Sequence, residues 1–308
     1  MQKRKKMNAR LLPLIIFIML IFILYGFIAS GSTLFGTASE RVPEQTGYTI
    51  HSRQAILVDL TTGKTLFRKQ EEQRAYPASL TKIMTTLLAI EHIHDLHKTV
   101  PMPATVFADL RDKDASMAGF LPNEDVKIVD LLYGTLLPSG ADASGTLAIS
   151  VAGSEQAFVS MMNQKAAELG MRHTHFANDS GLQDPRHYTT AKDLSLLLSY
   201  ALKNSTFRQV FTTKQHRIDP TNLHPDGIVL HSTLFQKIGS GQINGGTIIG
   251  GKTGYTDEAG LCLASLAKMN GHEYILITLG APGNHSTTQY DIEDAYMIFK
   301  NQNERTAR

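Results

Sequence analysis

The chain has 308 residues, 42% of them hydrophobic and 19% charged, so it can bury a large core and is too apolar for a disordered segment. Its formal charge of +2 joins unlike parts: Lys3, Arg4, Lys5, Lys6 and Arg10 crowd the first ten residues, leaving 25 Lys plus Arg against 28 Asp plus Glu, a balance of −3. A near-neutral remainder without a basic tract excludes an electrostatic footprint for nucleic acid.

Residues 1–10 read as a basic tail, and 11–29, LLPLIIFIMLIFILYGFIA, carry no charge. At 1.5 Å per residue this run reaches about 28 Å, close to the ~30 Å hydrocarbon core, so a single-pass transmembrane signal-anchor with a cytoplasmic tail is expected. A cleavable signal peptide is the competing reading, because Ala29, Ser30 and Gly31 follow. Either reading exports residues 48–308 and leaves them outside the cytoplasm. Residues 30–47, small, polar and Pro/Gly-bearing, suit a linker.

The folded part starts near Tyr48. AILVDLTTGKTLF gives two apolar stretches around a Thr-Thr-Gly-Lys turn, a hairpin, and a helix begins near Ser79. From about Val126 to Leu234 apolar residues recur at three-and-four spacing, an all-helical block within a helical lobe of about 90–235. After Gly245 come three β-rich runs, then an amphipathic helix from about Ser286 to Lys300. Strands at both ends and helices between predict an α+β fold: one antiparallel sheet drawn from 48–76 and 245–308, flanked by helices, with the helical lobe inserted and a cleft between. Cys262, the only cysteine, sits among apolar neighbours in LCLASLA and reads as a buried strand residue.

YPASLTKIMTT, residues 76–86, places Ser79 three positions before Lys82 at the start of an apolar helix. Residues three apart share a helical face, and Ile90, Ile83, Leu87, Leu80, Met84 and Leu88 form an adjoining apolar arc. A lysine beside that arc is desolvated, its pKa falls, and a neutral amine can take the serine proton. The spacing recurs at Ser265 and Lys268, but on a strand an odd separation sends side chains to opposite faces. Two further motifs follow. LLPSGADAS puts Ser139 in a turn at a helix end, and Lys252-Thr253-Gly254 closes GTIIGGKTGY with a cation, a hydroxyl and a small residue that can grip a carboxylate.

S-x-x-K, a second serine motif and K-T-G in this order form the signature of penicillin-binding proteins and active-site-serine β-lactamases. With GMRHTHFANDSGLQDPRHYTTAKDL and GGKTGYTDEAGLCLAS, the chain from Tyr48 onward resembles the low-molecular-mass penicillin-binding proteins that are serine D-alanyl-D-alanine carboxypeptidases. The resemblance implies a β-lactamase/transpeptidase-like fold, peptidoglycan stem peptides ending in D-Ala-D-Ala as substrate, β-lactams as covalent inhibitors, and neither metal nor cofactor. It implies Ser79 as nucleophile, Lys82 as general base and Ser139 as proton relay. Lys252 would keep Lys82 neutral and, with Thr253, bind the terminal carboxylate beside Gly254; the N–H groups of Ser79 and Tyr255 would form the oxyanion hole. The N-terminal span would stand in for the C-terminal anchor of relatives, many of which also carry a separate β-rich C-terminal domain.

Two departures stand out. The second motif of the family ends in Asn, whereas this chain has Ala141, so Asp142 or water must fill the gap or turnover falls; a penicillin-binding sensor or scaffold is the alternative this leaves open. The loop APGNHSTT offers His285 where relatives often have arginine. No Glu-x-x-x-Asn element follows the second motif, which disfavours β-lactamase turnover. A zinc reading would need His92, His94 and His97, or His173 and His175, to converge with a carboxylate; solvated or helix-capping roles are commoner. His187 and Asp193 are expected to tie the connector to the helix after it.

Overall fold

The computed structural model describes residues 49–306. The expected tail, signal-anchor and linker (1–47) lie outside the described residues, and no helix among those described is long and apolar enough to cross a membrane.

The hairpin forms as β1 (Gln54–Asp59) and β2 (Thr65–Lys69), its turn closed by Asp59, whose carboxylate accepts the N–H groups of Thr61 and Thr62. The three late runs are β8 (Gly246–Thr256), β9 (Gly260–Met269) and β10 (His272–Ala281). With β7 (Gln242–Ile243) they build one antiparallel sheet in the order β2-β1-β10-β9-β8-β7, so the two chain ends pair in the middle, with Ile56 opposite Ile277.

The late runs read as continuous apolar stretches because both faces of the sheet are buried. Cys262, Ala264, Ile275 and Ile277 join the larger core under the helices. Leu263, Ala267, Tyr274 and Leu276 pack on the other face against Ile292, Ala295, Ile298 and Phe299 of the last helix. Cys262 is buried as expected, and burial pushes its thiol pKa up to about 12.

On the larger core lie α1 (Lys82–His92), α2 (Ala104–Leu110), α3 (Ile128–Leu136), α4 (Ala141–Ala152), α5 (Glu155–Glu168), α6 (Ala191–Ala201) and α7 (Ser205–Thr212). Between them β3 (Thr99–Pro101) pairs with β4 (Asp125–Lys127). A further hairpin, β5 (Gln215–Ile218) with β6 (Ile228–His231), interrupts the block expected to be all-helical. Pro220, Pro225 and a turn glycine, Gly227 at φ +71°, break the helical register there. The sheet-side helices are α8 (Thr233–Ile238) and α9 (Tyr290–Thr306), the latter starting four residues later than the sequence predicts.

Candidate active site

The first helix does not begin at Ser79. Ala78–Thr81 form a 3-10 turn, and α1 starts at Lys82. Every residue of α1 from Lys82 to Ala89 is buried, so the helix is enclosed on all sides rather than along one apolar arc, and Lys82 is 2% exposed. Its Nζ donates to Ser79 Oγ at 3.2 Å and to the carbonyl of Ser180 at 2.7 Å. Burial lowers the Lys82 pKa to about 8, against the opposing attraction of Asp179 and Asp142.

The 3-10 turn is gripped by two glycines. Gly254 on β8 lies so near that a Cβ there would stand 3.0 Å from Ser79 N, and a Cβ on Gly181, at φ +86°, would fall 1.8 Å from the Ala78 carbonyl oxygen. Ala78 itself has a positive φ of 46°, strain the packing must hold. Thr81 Oγ1 donates to Ala78 O at 2.8 Å, so the 2.8 Å contact with His187 Nε2 makes that nitrogen the donor; His187 Nδ1 accepts from Ala177 N–H at 3.3 Å. This is neutral histidine, and burial pushes its pKa down to about 4. Asp193 accepts from His173 N–H and the Thr174 hydroxyl, so the expected tie between connector and α6 is there, while His187 reaches Thr81 of the 3-10 turn instead.

Ser139 sits between α3 and α4 at φ +69°, buried, its Oγ without a hydrogen-bond partner among the described residues. Ala141 opens α4 and lines the main cavity. Asp142 does not fill the place of the missing amide by contact. Its carboxylate accepts the N–H groups of Ala118, Gly119, Phe120 and Ala143, fastening the 115–120 loop instead.

Lys252 is fully buried and its Nζ donates to the Thr253 carbonyl at 2.6 Å. Burial, then the like charges of Lys82 and Lys237, drive its pKa well below the usual lysine range. For Lys82, as for Lys252, burial is the largest cause. Thr253 Oγ1 lies 2.7 Å from Thr233 Oγ1. Tyr255 directs its hydroxyl to Asp257 at 2.5 Å and its ring edge to His285.

Two cavities, of about 750 and 130 Å³, share Ser79, Ser116, Tyr255 and His285 in their walls. The larger contains Lys82 and Ala141 and is acidic, through Asp109, Asp114, Glu155, Asp179, Asp257 and Glu258. The smaller contains the hydroxyls of Ser139, Thr233 and Thr253. Of the residues the sequence pointed to, Ser79, Ser139, Thr253, Gly254 and Tyr255 line the smaller cavity and Lys82 bonds Ser79 from the larger, whereas Lys252 is buried and lines neither. Sequence reasoning missed Ser180 and Asp179. Ser180 acts through its carbonyl, which no side-chain pattern reveals; Asp179 is a buried carboxylate raised to about 7 by desolvation and by Glu155, held through its own carbonyl by the Thr85 hydroxyl. No cluster of three His, Cys, Asp or Glu suited to a metal occurs among the described residues.

Solved structures share this arrangement of elements. The Streptomyces K15 DD-transpeptidase superimposes with a TM-score of 0.73 at 28% identity, covering 84% of this chain and all of that one. A D-alanyl-D-alanine carboxypeptidase from Mycobacterium tuberculosis gives 0.71 at 26% identity, covering 83% and 92%. Among curated relatives, D-alanyl-D-alanine carboxypeptidase DacF of Bacillus subtilis is 35% identical over 75% of this chain and 57% of its own length. DacD of Escherichia coli is 31% identical over 80% and 63%. The chain thus spans about three fifths of the length of these two curated relatives. A sequence profile described as D-alanyl-D-alanine carboxypeptidase matches residues 38–283. That match takes in the serine–lysine turn, the Ser139 turn and the β8 strand alike, and the chain belongs to the D-alanyl-D-alanine carboxypeptidase family.

Proposed function

We propose that this chain is a serine D,D-carboxypeptidase that removes the C-terminal D-alanine from peptidoglycan stem peptides. The observation that carries the reading is Lys82 Nζ, buried in the wall of the larger cavity and 3.2 Å from the Oγ of Ser79, which lines both cavities. Neutral Lys82 takes the hydroxyl proton as Oγ attacks the carbonyl carbon of the penultimate D-alanine. The oxyanion that forms is met by the N–H groups of Ser79 and Tyr255. Collapse breaks the peptide bond, and the departing amine receives the proton through the Ser139 hydroxyl. Water then attacks the ester with Lys82 as base, which frees the shortened peptide and restores Ser79.

β-Lactams follow the first half of this course, but the broken amide stays tethered and the acyl-enzyme persists. Relatives named as carboxypeptidases favour turnover over a sensor or scaffold role. The basic and apolar N-terminus supports a membrane-held, extracytoplasmic enzyme, a placement that carbonate extraction and external proteolysis of cells would test. The activity itself is tested by D-alanine release from a peptide ending in D-Ala-D-Ala. Release by the wild type and none by Ser79→Ala is expected; no release by the wild type would overturn the reading.

A further inference from the structure

The carboxylate at the end of such a substrate needs a cation it can touch, and Lys252 is badly placed to be that cation. It is fully buried, spends its ammonium on the Thr253 carbonyl, and lines neither of the cavities that meet at Ser79. The larger cavity has Lys82 and Lys113 in its walls, but its seven carboxyl side chains outnumber them and disfavour a carboxylate there. The smaller has hydroxyls and two groups able to carry positive charge, Lys237 and His285.

Lys237 lies in the last turn of α8, where a cation is favoured by the helix dipole. Thr233, four residues earlier and on the same helical face, is bonded to Thr253 at 2.7 Å, which fixes α8 against the β8 motif and sets Lys237 on the wall beside it. The ammonium donates to Gln289 Oε1, and Asp291, also in that wall, supplies a counter-charge. Such a tether holds a lysine near the cavity without neutralising it through a close ion pair.

We infer that Lys237 is a specificity-determining residue of this chain, the cation that receives the terminal carboxylate of the substrate opposite the Thr253 hydroxyl. The inference rests on the carboxypeptidase reading for its natural ligand, and it accounts for the missing arginine in the His285 loop. The lysine stands on a different element from that loop, so no local motif announces it.

The test compares wild type, Lys237→Gln and Lys237→Arg on two peptides that differ only in a free carboxylate or an amide at the D-alanine terminus. Expected is a fall of about tenfold in the carboxylate-over-amide preference of kcat/KM for Lys237→Gln, carried by KM, with the preference kept in Lys237→Arg. A merely structural role lowers both peptides together. Equal losses on the two peptides, or an unchanged preference, overturn the inference. The same comparison is made on acylation of Ser79 by a penicillin and its methyl ester, which needs no peptide turnover. Acylation with no peptide cleaved by the wild type therefore sinks the carboxypeptidase reading, while the acid-over-ester ratio still decides the role of Lys237.

Discussion

The carbonyl oxygen of Ser180 lies 2.7 Å from Lys82 Nζ, while Ser79 Oγ stands 3.2 Å from the same nitrogen. The connector thus holds the Lys82 amine against the Ser79 hydroxyl, and the neighbour of Ser180, Asp179, lends the amine negative potential.

That relationship sets a pH dependence. Ser79 acylation should rise through about pH 8 as Lys82 loses its proton. Asp179 favours the protonated amine, so Asp179→Asn should move this limb to lower pH. Labelling rates with a fluorescent penicillin between pH 6 and 10 report the shift, and a limb that stays in place argues against the coupling.

Ala141 presents only a methyl group to the cavity that contains Lys82. An amide at this position restores one hydrogen bond near the base or the substrate, so Ala141→Asn should raise kcat for D-alanine release by roughly three- to tenfold. An unaltered or lower kcat in a variant of normal stability shows that the Ser180 carbonyl already does this work.

Gly181 is required by close approach as well as by backbone angle. Gly181→Ala puts a methyl 1.8 Å from the Ala78 carbonyl, which backbone must move to relieve, and should cost about 2–4 kcal/mol and slow penicillin labelling. Gly63→Ala is the control: φ is +73° but none of the described residues would meet its Cβ within 4 Å, so about 1 kcal/mol is expected from strain alone. Urea midpoints of the two variants should differ accordingly, and equal midpoints refute the packing argument.

His187 should make the protein acid-sensitive. Its pKa falls from 6.5 to about 4 on folding, so the unfolded chain binds the proton first and stability declines as pH drops through that window, by up to about 3 kcal/mol. Asp179 and Asp291, raised to about 7 and about 6, act in the opposite sense over part of the range, but they do so in variant and wild type alike. Denaturation of His187→Gln at pH 7.5 and 4.5 should therefore show a smaller loss than the wild type; equal losses discount the histidine.

Much of this was legible along the chain. The hairpin of β1 and β2, the three late strands and the Ser79–Lys82 spacing are local patterns, set by alternation, turn residues and helical period. The β5–β6 hairpin was not, because its strands are short and partly exposed and carry little apolar signal beside the helices around them. Ser265 and Lys268 were rightly set aside: the serine is buried in β9 and the lysine exposed, as an odd separation on a strand requires.

By itself the sequence determined the fold class, the order of the three motifs and the spacing that lets Ser79 and Lys82 meet, since each depends on neighbours within a few residues. Tertiary structure alone decided that Lys82 is enclosed on every side, that Asp142 serves the 115–120 loop, that a carbonyl ninety-eight positions away holds the base, and that Lys252 is buried while Lys237 faces the small cavity. Desolvation and hydrogen bonding between distant segments depend on which surfaces the fold brings together, and spacing along a chain does not record them.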